Sequence, residues 1–314
     1  TNDVDGRAQL ERYTRGLECE YTTRTLVDND WAYSWQKYYK PLSIGERLYV
    51  VPQWEREEPV PQGRVPFYLN PGLTFGTGSH ASTQLCLEGV EEHTAPGRPV
   101  LDLGCGTGSL TGLLAEAGYD MIGIDNSGEM LQMAMDKRAA SGQDILYLLQ
   151  DMREFELYGT VRAVVSICDS MNYMMEYRDL VQVFRLVNNY LDPRGVFIFD
   201  LNTEYKYREL LADNTFAEAR EESSFIWDNF YDESSGINEY DLTLFIREGQ
   251  LYRKYEETHF QKAYSLDEVK RAALEAGMEF VAAYDACTRN PVREDSERIY
   301  VIMREQGKTM SDEE

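Results

Sequence analysis

VLDLGCGTGSL, residues 100–110, passes from an apolar run through three alternate glycines into the amphipathic segment SLTGLLAEAG. That order reads as strand, tight loop and helix. Gly104, Gly106 and Gly108 let the loop backbone approach a ligand closely, with Cys105 and Thr107 between them. A nicotinamide fingerprint asks for glycine at the first, third and sixth positions. Here the sixth position is Ser109, and the third glycine comes one residue early. Asp102, just before the loop, suits the ammonium of an amino-acid moiety better than a pyrophosphate.

Downstream, YDMIGID, DILYLLQ, VRAVVSIC and GVFIFDLN are apolar runs of strand length, separated by helical patterns. The segment 127–142 opens at Ser127 and closes at Gly142, and SLDEVKRAALEAG pairs Ser265 with Glu268 as a capping box. MEFVAAYDA and ERIYVIM supply two closing strands. Apolar strands alternating with amphipathic helices predict an α/β, Rossmann-like, doubly wound, mostly parallel seven-stranded sheet covered on both faces. Right-handed crossovers then gather the strand C-termini along one edge. Asp125 ends the second strand, where an acid accepts hydrogen bonds from ribose hydroxyls, with Asn126 beside it. Asp151 and Met152 end the third, within reach of an adenine. Nucleoside, amino acid and no phosphate together describe S-adenosyl-L-methionine, with S-adenosyl-L-homocysteine as product. The plainer alternative is a sheet whose glycines serve packing alone.

Residues 216–263 break the rhythm. SFIWDNFYD, INEYDLTLFIR and LYRKYEETHFQKAY alternate with strand period around the turns SSG and EGQ, which predicts an antiparallel meander inserted as a lid. Upstream, residues 1–40 suggest a small, truncated α+β appendage, and 41–68 a strand and linker. The catalytic domain is expected over 69–305, followed by an acidic tail at 306–314. A second glycine loop, NPGLTFGTGSH, occupies residues 70–80.

The formal net charge is −24, and the part from residue 101 onward carries most of it. Such a field repels phosphate backbones and speaks against nucleic acid as partner. Cys19, Cys86, Cys105, Cys168 and Cys287 are scattered, as are His80, His93 and His259, so no metal site is expected. Reduced thiols, no basic-apolar leader and no long apolar run are expected of a cytoplasmic protein without a membrane span. The chain starts without Met, as if in mid-protein.

DLGCGTGSL, GIDNS and QDMREF resemble motifs of the class I S-adenosylmethionine-dependent methyltransferases. CDSMNYM, LVNNYLDPRGVFIFDLNTEYKY, NEYDLTLFI, YEETHFQKAYSLDEVK and REDSERIY resemble more specifically one bacterial group of them, over residues 101–305. In contrast, DWAYSWQKYYKPLSIGERLYVVPQWE and LNPGLTFGTGSHASTQLCLEGVE resemble the bacterial methyltransferases of large-subunit ribosomal protein eleven. That second resemblance implies that Phe75, Thr77, Gly78 and His80 close over the methionine part of the cofactor. The two resemblances meet near Val100 to Gly108, and ICDSMNY replaces the acceptor motif of the ribosomal family. A natural fusion, a recombined gene and an engineered chimera would all read this way.

Methyl transfer is an in-line displacement needing proximity, alignment and, for a protonated acceptor, a base. The end of the fourth strand is the place for that base. Cys168, Asp169, Ser170, Asn172 and Tyr173 occupy it, with Asp169 and Asn172 as catalytic candidates and Cys168 beside the cofactor. His259 is a further candidate from the lid. Met130, Met133 and Met135 are expected in the core. The acceptor is a small molecule or a protein; the alternatives are a ribosomal-protein amine methyltransferase and a cofactor-binding module without turnover.

Overall fold

The computed structural model describes residues 40–69, 81–286 and 288–309. The appendage expected over residues 1–40, apart from Lys40, lies outside these, as do the first glycine loop with Phe75, Thr77, Gly78 and His80, and the end of the acidic tail. In chain order, the described residues open with β1 (Leu42–Ile44), β2 (Leu48–Pro52), β3 (Val65–Leu69) and helix α1 (Ala81–His93). The doubly wound part follows as β4 (Pro99–Leu103), α2 (Ser109–Glu116), β5 (Asp120–Asp125), α3 (Gly128–Ser141), β6 (Ile145–Leu149), β7 (Val161–Ser166), α4 (Tyr177–Tyr190) and β8 (Leu191–Asn202). Next comes the meander β9 (Thr215–Ala219), β10 (Ser223–Asp232), β11 (Ile237–Glu248) and β12 (Leu251–Lys262). Helix α5 (Leu266–Glu275), β13 (Met278–Asp285) and β14 (Arg298–Glu305) complete the main sheet.

The seven-stranded sheet has the order β13-β14-β8-β7-β4-β5-β6. The strands from β6 to β8 run parallel, and β14 is antiparallel to both β8 and β13. The winding direction reverses between β4 and β7. This switch point opens a crevice at the strand C-termini, where the glycine loop and the segment after β7 face each other. The two faces carry separate cores. Leu101, Leu103, Phe197 and Phe199 pack under α4 and α5, and Val100, Val165, Val196 and Ile198 pack under α1 and α2. Helix α4 buries Leu180, Val181, Val183, Phe184 and Val187, a stripe at helical spacing that covers one sheet face.

The meander forms its own four-stranded sheet, order β12-β11-β10-β9, and is not an extension of the main one. Its outer strand β9 is fully exposed and carries no alternation long enough to show in the sequence. The remaining strands β1–β3 make a third sheet, in which β2 and β3 are parallel. Among the described residues, no helix is long and apolar enough to cross a membrane. One core expectation fails: Met130, Met133 and Met135 are 44%, 53% and 36% exposed. Helix α3 covers the edge of the sheet, so only the narrow strip of Leu131 and Ala134 is buried.

Gly108 shows how tightly the loop is set. It lies at φ 70°, and a Cβ there would come within 2.3 Å of the Tyr147 hydroxyl and 2.9 Å of the Ala134 methyl. Left-handed backbone and a neighbour of fixed position both oppose a side chain. Gly108→Ala is therefore expected to destabilise the fold by about 1–3 kcal/mol, measurable by urea denaturation.

Candidate active site

The glycine loop is stitched to the neighbouring strand. Both Gly104 N–H and Cys105 N–H donate to the Ile124 carbonyl, at 2.8 and 2.9 Å. Gly106 N–H donates to Asp125 Oδ2 at 2.7 Å, and Ser127 N–H to Asp125 Oδ1 at 2.9 Å. Lys137 closes the far side by donating to the Thr107 carbonyl, Thr107 Oγ1 and Ser109 Oγ at 2.9, 2.8 and 3.1 Å. Partial burial lowers the Lys137 pKa from its ordinary value. The sequence carries no local signal for this lysine, which sits 30 residues from Thr107 and meets it only through the fold. A Cβ on Gly106 would meet nothing within 4 Å among the described residues, so the loop offers space there.

The predicted acids take different positions. Asp102 is only 1% exposed and accepts from Thr111 Oγ1 at 2.6 Å, which joins β4 to α2. Its side chain turns under the helix rather than into the crevice, so its contact in this structure is with Thr111. Burial, reinforced by the charge of Asp125, pushes its pKa up to about 7. Asp125 is partly exposed, and each of its oxygens has taken one backbone N–H; a carboxylate oxygen accepts two hydrogen bonds, so capacity remains. Asn126 beside it is exposed. Asp151 is gripped by Arg153, through Nε to Oδ1 at 2.9 Å and Nη2 to Oδ2 at 2.5 Å, and this pairing lowers its pKa. Met152 leans over the loop: its Cε lies 3.5 Å from where a Gly104 Cβ would be.

Across the crevice, Cys168 and Asp169 follow each other in left-handed backbone, at φ 62° and 54°. Neither is glycine, and such conformations persist only where the surroundings hold them. The holder is a buried charge cluster. Arg298 donates to Asp169 Oδ1 at 2.6 Å and to Asp200 Oδ2 at 2.7 Å, while Asp169 N–H donates to Asp200 Oδ1 at 2.8 Å. Gln261 of the meander donates to the second Asp169 oxygen at 2.6 Å and accepts from the Tyr207 hydroxyl at 2.9 Å. Burial raises the Asp200 pKa, and the Arg298 charge works against that rise. Cys168 is exposed, yet the protein around it and the charges of Asp200 and Asp169 push its thiol up to about 12, so it stays protonated.

Two of the three catalytic candidates are thus occupied. Both oxygens of Asp169 are held by Arg298 and Gln261. Asn172 is fully buried, donating to the Asn202 and Lys262 carbonyls at 3.1 and 2.9 Å and accepting from Asn202 N–H at 2.9 Å. They fasten the turn Ser170–Tyr173 to β8 and β12. The third candidate, His259, meets the end of that turn. Tyr173 Oη lies 3.0 Å from His259 Nδ1 and 3.0 Å from Tyr240 Oη. Arg298, Asp200, Gln261 and Tyr207 escape the sequence reading, because their partners lie 31 to 129 residues away.

A doubly wound sheet, a glycine loop without phosphate spacing and an acid ending β5 define a nucleoside-cofactor enzyme of the Rossmann-like class. A methyltransferase-domain family model matches residues 100–195, and the model described as ribosomal protein L11 methyltransferase matches residues 2–142. Over 225 residues the chain is 36% identical to the putative methyltransferase YqeM of Bacillus subtilis, covering 71% of this chain and 90% of that one. It is 40% identical over 139 residues to the ribosomal protein L11 methyltransferase of Paraburkholderia xenovorans, but spans only 46% of that protein. Among solved structures, an S-adenosylmethionine-dependent methyltransferase from Clostridium acetobutylicum superposes with a TM-score of 0.68 at 27% identity, covering 72% of this chain and 92% of that one. The chain belongs to the class I S-adenosylmethionine-dependent methyltransferases, and S-adenosylmethionine is its cofactor. The open space at Gly106 and the spare acceptor capacity of Asp125 fit that cofactor.

Two outcomes are expected. Asp125→Ala should weaken S-adenosylmethionine binding by about 1–3 kcal/mol in calorimetry, as hydrogen bonds to ribose are lost. The raised Asp102 pKa means that the folded state holds a proton the unfolded state releases near the ordinary value of 3.8. Its contribution to stability is complete at low pH and is lost as pH rises from about 4 through about 7. Thermal melts of Asp102→Asn should show a shallower fall than the wild type across that window.

Proposed function

We propose that this enzyme methylates a small organic acceptor bearing an amine or hydroxyl, held between the turn Ser170–Tyr173 and the inner face of the meander. The contact of Tyr173 with Tyr240 and His259 carries this reading, since it joins the lid to the turn at the switch-point crevice. Around it stand further rings: His259 stacks on Tyr240 at 4.7 Å, and Trp227 meets Tyr240 edge-on at 5.6 Å. Such a wall grips an apolar body and excludes water.

The bound cofactor supplies an activated methyl group. The chain's own residues position the reactants. Gly104, Cys105, Gly106, Thr107 and Gly108 form the floor under the methionine part, Asp125 and Asn126 hold the ribose, and Met152 covers the adenine. Asp151, paired with Arg153, shapes that end. Cys168 lines the crevice, Asp102 braces its base from below through Thr111 of α2, and Asp169 with Asn172 hold the acceptor wall in place. In this reading residues 69–305 form the catalytic domain, and β9–β12 are its lid.

The match of residues 2–142 to the ribosomal protein L11 methyltransferase model favours a second reading, in which the acceptor is a ribosomal protein amine. Labelled methyl transfer from S-adenosylmethionine into a bacterial extract, separated into protein, RNA and small-molecule fractions, distinguishes them. Label in the small-molecule fraction is expected. A single labelled ribosomal protein would establish the second reading instead, and cofactor binding without label anywhere would mark a module that does not turn over.

A further inference from the structure

The acceptor wall contains a hydrogen-bonded chain that leads from the crevice to solvent. Tyr173 ends the turn whose first residue, Ser170, sits against Gly104: a Cβ on that glycine would come within 2.8 Å of Ser170 Oγ. Its hydroxyl contacts His259 Nδ1, and His259 Nε2 lies 3.2 Å from Glu257 Oε2. Tyr173 is 39% exposed, so it is open to a ligand while still tied at both neighbours. We propose that Tyr173 is the catalytic group that takes the acceptor's proton, and that His259 and Glu257 pass that proton to water. The inference rests on the lid-covered acceptor site proposed above and names its base.

The direction of each bond follows from the groups present. An ionised Glu257 only accepts, so the proton of the neutral imidazole sits on Nε2. Nδ1 is then the acceptor for Tyr173 O–H. With its own proton spent on Nδ1, Tyr173 receives the O–H of Tyr240, which burial and the neighbouring Tyr173 keep protonated. The other lone pair of the Tyr173 oxygen faces the Gln261 amide, which also bonds to Asp169. An acceptor ammonium N–H or hydroxyl O–H takes that place by displacing the amide from Tyr173.

The transfer balances without a free phenolate. The acceptor proton moves to Tyr173 Oη as the Tyr173 proton moves to Nδ1. The freed acceptor lone pair becomes the nucleophile, the imidazolium is paired with the Glu257 carboxylate, it yields one proton to water, and exchange with water returns the remaining proton to Nε2. Four groups set the charge around His259: Glu257 on its own strand, Tyr240 on β11, Tyr173 on the turn, and Asp169, whose charge acts on both tyrosines. Asn172 carries no basic atom, and Asp169 is held in an ion pair by Arg298 and in a hydrogen bond by Gln261.

The test has two arms on the full chain. Nitrogen-15 imidazole spectra, with His259 assigned through His259→Gln, should show the Nε2-protonated tautomer, and Tyr173→Phe should weaken that preference. With the extract fraction that takes up label as substrate, Tyr173→Phe should lower kcat about 100-fold while calorimetric affinity for S-adenosylmethionine stays unchanged. His259→Gln should likewise lower kcat with the calorimetric affinity for S-adenosylmethionine unchanged. A Tyr173→Phe enzyme within threefold of wild-type kcat, or a His259 protonated on Nδ1, would overturn the proposal and leave the lid-covered site standing. If no fraction takes up label, both fall together.

Discussion

A single, largely buried guanidinium ties the turn after β7 to β8 and to the meander. Arg298 reaches from the first residue of β14 to Asp200 on β8 and to Asp169 beyond β7, and Asp169 passes the connection to Gln261 in the meander. Burying charges is costly unless each is paired and hydrogen-bonded, and here the pairing is complete: Arg298 is shared by two carboxylates, and one of these also accepts a backbone N–H. The geometry of the turn after β7 depends on this cluster. Two successive non-glycine residues in left-handed backbone would relax if Asp169 were released.

The glycine loop is built on a different principle. Among the described residues, no buried ion pair organises it. Backbone N–H groups converge on the Ile124 carbonyl and on Asp125, and Lys137 ties the outer edge. Hydrogen bonds of this kind leave the open side of the loop free, and glycine keeps side chains out of it. The loop and the turn face each other where Ser170 stands opposite Gly104, so close that a side chain on that glycine would collide with Ser170 Oγ.

The proposed proton path and the charge cluster share the same turn but serve opposite ends of it. Asp169 and Asn172 hold it, and Tyr173 at its end is exposed. Local sequence cannot distinguish these roles. ICDSMNY places an acid, an amide and a phenol within five residues, and in sequence Asp169 reads as the candidate base, with Asn172 a catalytic candidate beside it. Which one remains available depends on Arg298, Gln261, Asn202 and Lys262, brought in from strands up to 129 residues away.

The alternation of apolar strands with amphipathic helices was legible because period, capping and glycine position are local properties. The order of elements, the cap at Ser127, the capping box at Ser265 and the loop at Gly104 to Gly108 all follow from neighbours in the chain. The methionines of α3 misled for the same reason: composition marks them as core, but only the position of α3 at the sheet edge leaves them exposed. The meander's strands were readable, whereas their separation into a second sheet, and the seating of His259 against Tyr173, were not. Side-chain pairing across long stretches of chain is decided by packing, and packing is a property of the folded molecule alone. The sequence by itself determined a doubly wound sheet with a glycine loop and an acid at the end of β5; the tertiary structure decided which polar groups are spent on architecture and which remain for chemistry.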